Sequence, residues 1–107
     1  IVSGTTLSII LEKLKKFGVK EIHIRISSPP MISNCQYNIL EKNAYLIASK
    51  YGDEKAMIEE GLRDHFRVNS LRFLSLNGFL SCLDYNKKHC FECFSKRNIN
   101  SDLVDIR

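Results

Sequence analysis

A glycine followed by two threonines at the head of an amphipathic stretch, Ser3-Gly4-Thr5-Thr6-Leu7, is a pattern able to hold an anion. Glycine lets the backbone come close to a phosphate with no Cβ in the way, and the N–H groups of a helix's first turn point unpaired donors outward. The two hydroxyls add donors of their own. The same tripeptide also reads as an ordinary turn with an N-cap, so its neighbourhood has to decide. Sulfur is the other chemically loaded element: Cys35, Cys82, Cys90 and Cys93, the last two in a C-x-x-C spacing. In a reducing compartment such a pair is metal-binding or redox-active more often than it is a structural disulfide. Cys82 falls on a helical pattern and is expected to be a small buried hydrophobe. Zinc with His89 as a further ligand is an alternative, although adjacent His89 and Cys90 would have to bend sharply to serve one ion. His23 and Arg25 are polar residues on a strand pattern, and a structural role is expected of both.

The elements that must position these groups follow from periodicity. Leu7, Ile10, Leu11, Leu14 and Phe17 recur at helical spacing, with lysines and Glu12 opposite them and Gly18 placed to end the helix. Residues 19–26 alternate β-branched and polar side chains until Ser27-Ser28-Pro29-Pro30 stops the run, which predicts a strand. With a strand ahead of the glycine turn, this would be a βαβ unit in a parallel sheet, where ligands sit at the carboxyl ends of the strands. That first strand is expected outside the chain. Helices are predicted over residues 41–51 and 53–66, with Gly52-Asp53 as break and N-cap and with Gly61 as a weak point of the second. A short strand over Leu71 to Leu74 and a helix capped by Ser75 and running through Leu83 follow. Residues 27–34 read as a linker and residues 98–107 as a polar, mobile tail.

The order of these pieces resembles the glutamine-dependent amidophosphoribosyltransferases, in their C-terminal part. Ile1-Val2-Ser3-Gly4-Thr5-Thr6 is similar to the family's phosphoribosyl pyrophosphate motif without its preceding acidic pair, and His23-Ile24-Arg25-Ile26-Ser27-Ser28-Pro29-Pro30 to its strand and Ser-Pro-Pro loop. Cys35-Gln36-Tyr37-Asn38-Ile39, the segment from Asn69 to Leu80 and Cys90-Phe91-Glu92-Cys93-Phe94 continue the match in order. The chain departs from the family at Ser3, usually arginine, at Asn38, usually glycine, and at Leu40, usually aspartate; Arg67 and Arg72 stand where small residues are common.

The resemblance implies an α/β fold, a partial type I phosphoribosyltransferase with a parallel sheet and helices, followed by a mostly helical C-terminal segment. The implied divisions are residues 1–40, residues 41–97 with the C-x-x-C, and the tail 98–107. It implies that Gly4, Thr5 and Thr6 bind the substrate's phosphate, that Cys35, Cys90 and Cys93 are three ligands of a four-iron four-sulfur cluster whose fourth lies elsewhere, and that magnesium accompanies the substrate. No catalytic residue is expected in the chain itself, which is expected to be inactive alone. Residue 1 is not a cysteine, serine or threonine, so the ammonia-producing glutaminase is expected elsewhere in a homo-oligomeric parent. The rival reading is a metal-stabilised or regulatory interaction module without catalysis.

Composition limits the remaining classes. At 107 residues and 44% hydrophobic content, one modest domain is expected. The net charge of +4 comes from basic residues dispersed among acids, without interleaved aromatics, so nucleic-acid binding is not expected. No apolar run reaches the roughly 18 to 20 residues needed to span a bilayer, and a cytoplasmic location without membrane contact is expected.

Overall fold

The amphipathic stretch behind the glycine turn forms helix α1, Thr5–Lys16, in a computed structural model that describes residues 1–35, 37, 45–83, 88–95 and 103–105. Lys13, Lys15 and Lys16 in its last turn complement the partial negative charge of that end, and Gly18, at φ 75°, turns the chain away. Lys15 Nζ also donates to the carbonyl of Phe66 at 2.8 Å, which ties α1 to the end of helix α2, Lys55–Phe66.

Strand β1, His23–Ile26, pairs in parallel with β2, Ser70–Phe73, in the register His23 to Ser70 and Ile26 to Phe73. Parallel pairing requires a crossover, and α2 lies on it. Because side chains alternate across a strand, Ile24, Ile26, Leu71 and Phe73 face one side while His23, Arg25, Ser70 and Arg72 face the other. The first side meets α2, whose Ile58 and Leu62 are fully buried. Together with Leu11, Ile47, Ala48, Phe66 and Val68 they form one core. This core takes residues from both sides of the division expected at residue 40.

Glu59 is the buried charged side chain of this core, 6% exposed. Its Oε2 accepts from the N–H of Phe73 at 2.7 Å and from Lys55 Nζ at 2.8 Å, so the carboxylate fastens α2 to the end of β2.

Several expectations change. Of the helix expected over 41–51, residues 47–51 form a 3-10 turn, and residues 41–44 lie outside the described residues, as do Asn38 and Leu40. Leu46, Ile47 and Ala48 are all buried in succession, which a single apolar helix face does not accommodate. Helix α2 starts at Lys55, with Glu54 rather than Asp53 at its N-cap. Residues 27–34 are no free linker: Pro29 and Pro30 are buried, Leu74 N donates to the Ser28 carbonyl at 3.2 Å, and Ile32 N donates to the Cys93 carbonyl at 2.8 Å. Helix α3, Leu76–Ser81, is shorter than expected but keeps its cap, with Ser75 Oγ accepting from Gly78 N at 3.0 Å. Strand β3, Lys88–Cys90, pairs antiparallel with β4, Leu103–Asp105, inside the expected tail; residues 98–102 and 106–107 lie outside the described residues. Among the described residues no helix is long and apolar enough to cross a membrane.

Candidate phosphate turn and cysteine group

Gly4 is buried at the N-cap of α1 with φ 84°, a conformation costly to residues with a Cβ. A Cβ built there would stand 2.8 Å from Phe66 Cζ and 3.4 Å from Ile47 Cδ1. The turn is anchored from the other side by Ile47 N donating to the Val2 carbonyl at 2.9 Å. Backbone geometry and packing therefore explain the glycine with no ligand invoked. They do not explain the threonines. Thr5 and Thr6 are exposed, contribute nothing to the core, and sit on a first turn whose N–H groups have no helical partner. No acidic side chain occupies that turn, so the turn itself offers no negative charge to repel an anion. Ser3 Oγ lies 3.0 Å from Thr5 Oγ1 and accepts from Thr5 N at 3.4 Å, which ties the loop to the first residue of the helix without adding charge. The surrounding cavity measures about 370 Å³ and takes in residues 1–7 and Ile10.

Of the three expected ligands, Cys35 and Cys93 line one cavity, while Cys90 is exposed and lies outside that lining. Cys93 lies in a 3-10 turn, Glu92–Phe94, and its carbonyl accepts from Ile32 N at 2.8 Å and Ser33 N at 3.2 Å. Ser33 Oγ donates to the Glu92 carbonyl at 2.8 Å and lies 3.2 Å from that of Ser95. These bonds hold the segment leading to Cys35 against the C-x-x-C. Burial raises the Cys93 thiol above its ordinary pKa, and the neighbouring Cys35 and then Cys90 raise it further, being like charges when ionised. Cys35 and Cys93 line one cavity of about 330 Å³ with Ile1, Val2, Met31 and Phe94, beside the backbone that enters the glycine turn.

Among the described residues, however, no three His, Cys, Asp or Glu side chains are placed to hold a metal ion. Zinc shared by His89 and Cys90 is opposed by the backbone. Both residues lie on β3, where successive side chains point to opposite faces. Cys82, expected to be buried, is exposed just beyond α3 with its Sγ 3.3 Å from the Gly78 carbonyl, and it takes no part in the group.

Two features escaped the sequence reading. Glu59 was visible as a charge on the apolar face of α2, between Ile58 and Leu62. The juxtaposition of Arg25 and Arg72 depends on strand register and left no local signal.

No family model matches the chain, and no solved structure matches it. It is similar to amidophosphoribosyltransferase 3, chloroplastic, of Arabidopsis thaliana, 36% identical over 99 residues, covering 89% of the chain and 17% of that relative. The amidophosphoribosyltransferase of Synechocystis is 35% identical over 99 residues, covering 91% of the chain and 19% of the relative. That of Bacillus subtilis is 35% identical over 101 residues, covering 89% and 20%. The chain thus spans a sixth to a fifth of the length of these relatives.

Proposed function

We propose that this chain, homologous over about nine-tenths of its length to a segment of the amidophosphoribosyltransferases, forms part of an enzyme that aminates phosphoribosyl pyrophosphate at the start of purine biosynthesis. In that reaction ammonia released from glutamine attacks C1 of the sugar and pyrophosphate leaves, giving phosphoribosylamine and glutamate. The contribution of this segment is the 5-phosphate cradle. Gly4 lets the backbone approach, the first-turn N–H groups of α1 donate, and the Thr5 and Thr6 hydroxyls close on the phosphate oxygens. Holding the sugar by its far end fixes where C1 meets ammonia, a positioning role rather than acid–base chemistry. The observation that carries this reading is the pair of exposed threonines over an open helix N-terminus free of acids.

Cys35, Cys90 and Cys93 would hold three corners of an iron–sulfur cluster, with the fourth thiolate from another part of the parent protein. Bound there, the cluster would staple the segment around Cys35 to the C-x-x-C beside Ile1 and Val2. Magnesium with the substrate's pyrophosphate, a glutaminase domain, self-association and a cytoplasmic location belong to the same proposal; the name of the Arabidopsis relative places that protein in the chloroplast.

The test is titration of the chain with ribose 5-phosphate, following the amide resonances of Gly4, Thr5 and Thr6. Replacing Thr5→Val and Thr6→Val keeps shape and removes hydroxyls. The expected loss is roughly 1.5 to 3 kcal/mol for each hydrogen bond to the charged phosphate. Unchanged affinity in the double variant would reduce the turn to a helix start.

A further inference from the structure

Strands buried on both faces of a parallel sheet read as nearly continuous apolar runs. His23-Ile24-Arg25-Ile26 and Ser70-Leu71-Arg72-Phe73 instead alternate, so the side of the ladder away from α2 is built for water and charge. On that side Arg25 and Arg72 are register partners, two like charges on adjacent strands, an arrangement that costs stability unless something between them is negative. Both are exposed, the Arg72 side chain at 68%. Arg25 is nevertheless held in place, because its Nη1 donates at 2.8 Å to both the Ile24 carbonyl and Ser70 Oγ, and that hydroxyl is also 2.7 Å from His23 Nδ1. Arg72 Nη1 lies 4.0 Å from Glu59 Oε1, at the outer limit of an ion pair, while Glu59 Oε2 is held at 2.8 Å by Lys55 Nζ and at 2.7 Å by the Phe73 N–H.

At the end of the ladder lies a cavity of about 330 Å³ lined by Arg25, Ile26, Ser27, Arg72, Phe73 and Leu74. It has no acidic side chain in its lining. It sits at the carboxyl ends of both strands, where open α/β sheets bind their ligands. Guanidinium forks match the oxygens of phosphate, and apart from Ser27 the rest of the lining is apolar. We infer that this cavity is a second oxyanion site, in which Arg25 and Arg72 take a phosphate monoester carried on an apolar body. It shares no lining residue with the glycine-turn cavity and does not depend on the role proposed for that turn.

The experiment uses the chain carrying Thr5→Val and Thr6→Val, so that the turn contributes no hydroxyls, and titrates it with phenyl phosphate at constant ionic strength. Saturable amide shifts are expected at Ile26, Ser27, Phe73 and Leu74. Arg72→Ser should weaken the apparent affinity at least tenfold, and Arg72→Lys, which keeps a point charge without the fork, should weaken it less. Inorganic phosphate should shift the same amides with lower affinity, and benzyl alcohol should not saturate. Absence of saturable shifts at these four residues, or equal affinity in the Arg72→Ser chain, overturns the site. Equal shifts from chloride at the same concentration would mean an adventitious ion only. Arg72 is exposed, so the amide spectrum away from the ladder should stay unchanged in both variants, and Arg72→Lys supplies the comparison if serine disturbs the strand.

Discussion

At Gly4, φ is 84° and a Cβ would stand 2.8 Å from the Phe66 ring, so alanine there meets a backbone penalty and a collision together. The left-handed conformation costs an L-residue about 1 to 2 kcal/mol, and overpacking a core adds roughly 1 to 3 kcal/mol. Gly4→Ala is therefore expected to lose roughly 2 to 4 kcal/mol of stability, measured as a lower denaturant midpoint. Thr5→Val with Thr6→Val lies on the surface and should move that midpoint by no more than about 0.5 kcal/mol each. The contrast separates what the turn needs in order to fold from what it offers a ligand. Glu59 poses a different question, because its carboxylate serves a buried N–H. Glu59→Ala strands the Phe73 donor and should cost about 1 to 3 kcal/mol. Lys55 is 37% exposed and can rehydrate, so its lost ion pair adds little. Glu59→Gln keeps an acceptor and should cost less than alanine; equal losses would show that charge, not the hydrogen bond, fastens β2.

Among the elements, α2 holds a conflict between propensity and packing. Alanine is better than glycine in a helix by about 0.8 to 1.0 kcal/mol, yet a Cβ at Gly61 would collide with the Tyr51 ring near its stem, where the side chain has least room to swing aside. The collision is expected to win, so Gly61→Ala should destabilise the chain by about 1 to 2 kcal/mol. In the Tyr51→Ala background the same substitution should stabilise it. A Gly61→Ala effect of the same sign in both backgrounds would remove Tyr51 as the cause. The glycine that weakened the helix pattern in the sequence is thus the one that lets residues 47–51 lie against α2. Helix α1 shows the opposite balance: its period was plain from Leu7 to Phe17, but only Leu11 is buried, and Ile10, Leu14 and Phe17 remain 49%, 38% and 87% exposed. Periodicity reveals which face is apolar and not what covers it. Residues 47–51 misled for a related reason, since consecutive buried side chains satisfy a helical template in part while the chain takes a tighter turn.

Across the whole molecule, residue types and short spacings carried the candidate site as far as local information reaches. Gly4-Thr5-Thr6 and the C-x-x-C were readable because their chemistry is contained in adjacent residues. The approach of Cys35 to Cys93 was not, since it rests on Ser33 hydrogen-bonding to carbonyls about sixty positions away, and the Arg25–Arg72 pair rests on register. The exposure of Cys82 was unreadable for the same reason: its helix buries no side chain, which only tertiary packing decides. The cysteines also yield the sharpest global test. Cys35 and Cys93 line one cavity with Ile1 and Val2, and Cys90 belongs to the same C-x-x-C, so a cluster bound by the three would lock two distant segments together, and losing any one thiolate should release it. In the full-length protein purified without oxygen, Cys35→Ser, Cys90→Ser and Cys93→Ser are each expected to abolish bound iron and acid-labile sulfide. Cys82→Ser should leave both intact, because Cys82 stands outside the group. Zinc, or no metal, in the anaerobically purified wild type would end the cluster assignment, and the phosphate turn, built from other residues, would stand or fall on ribose 5-phosphate binding alone.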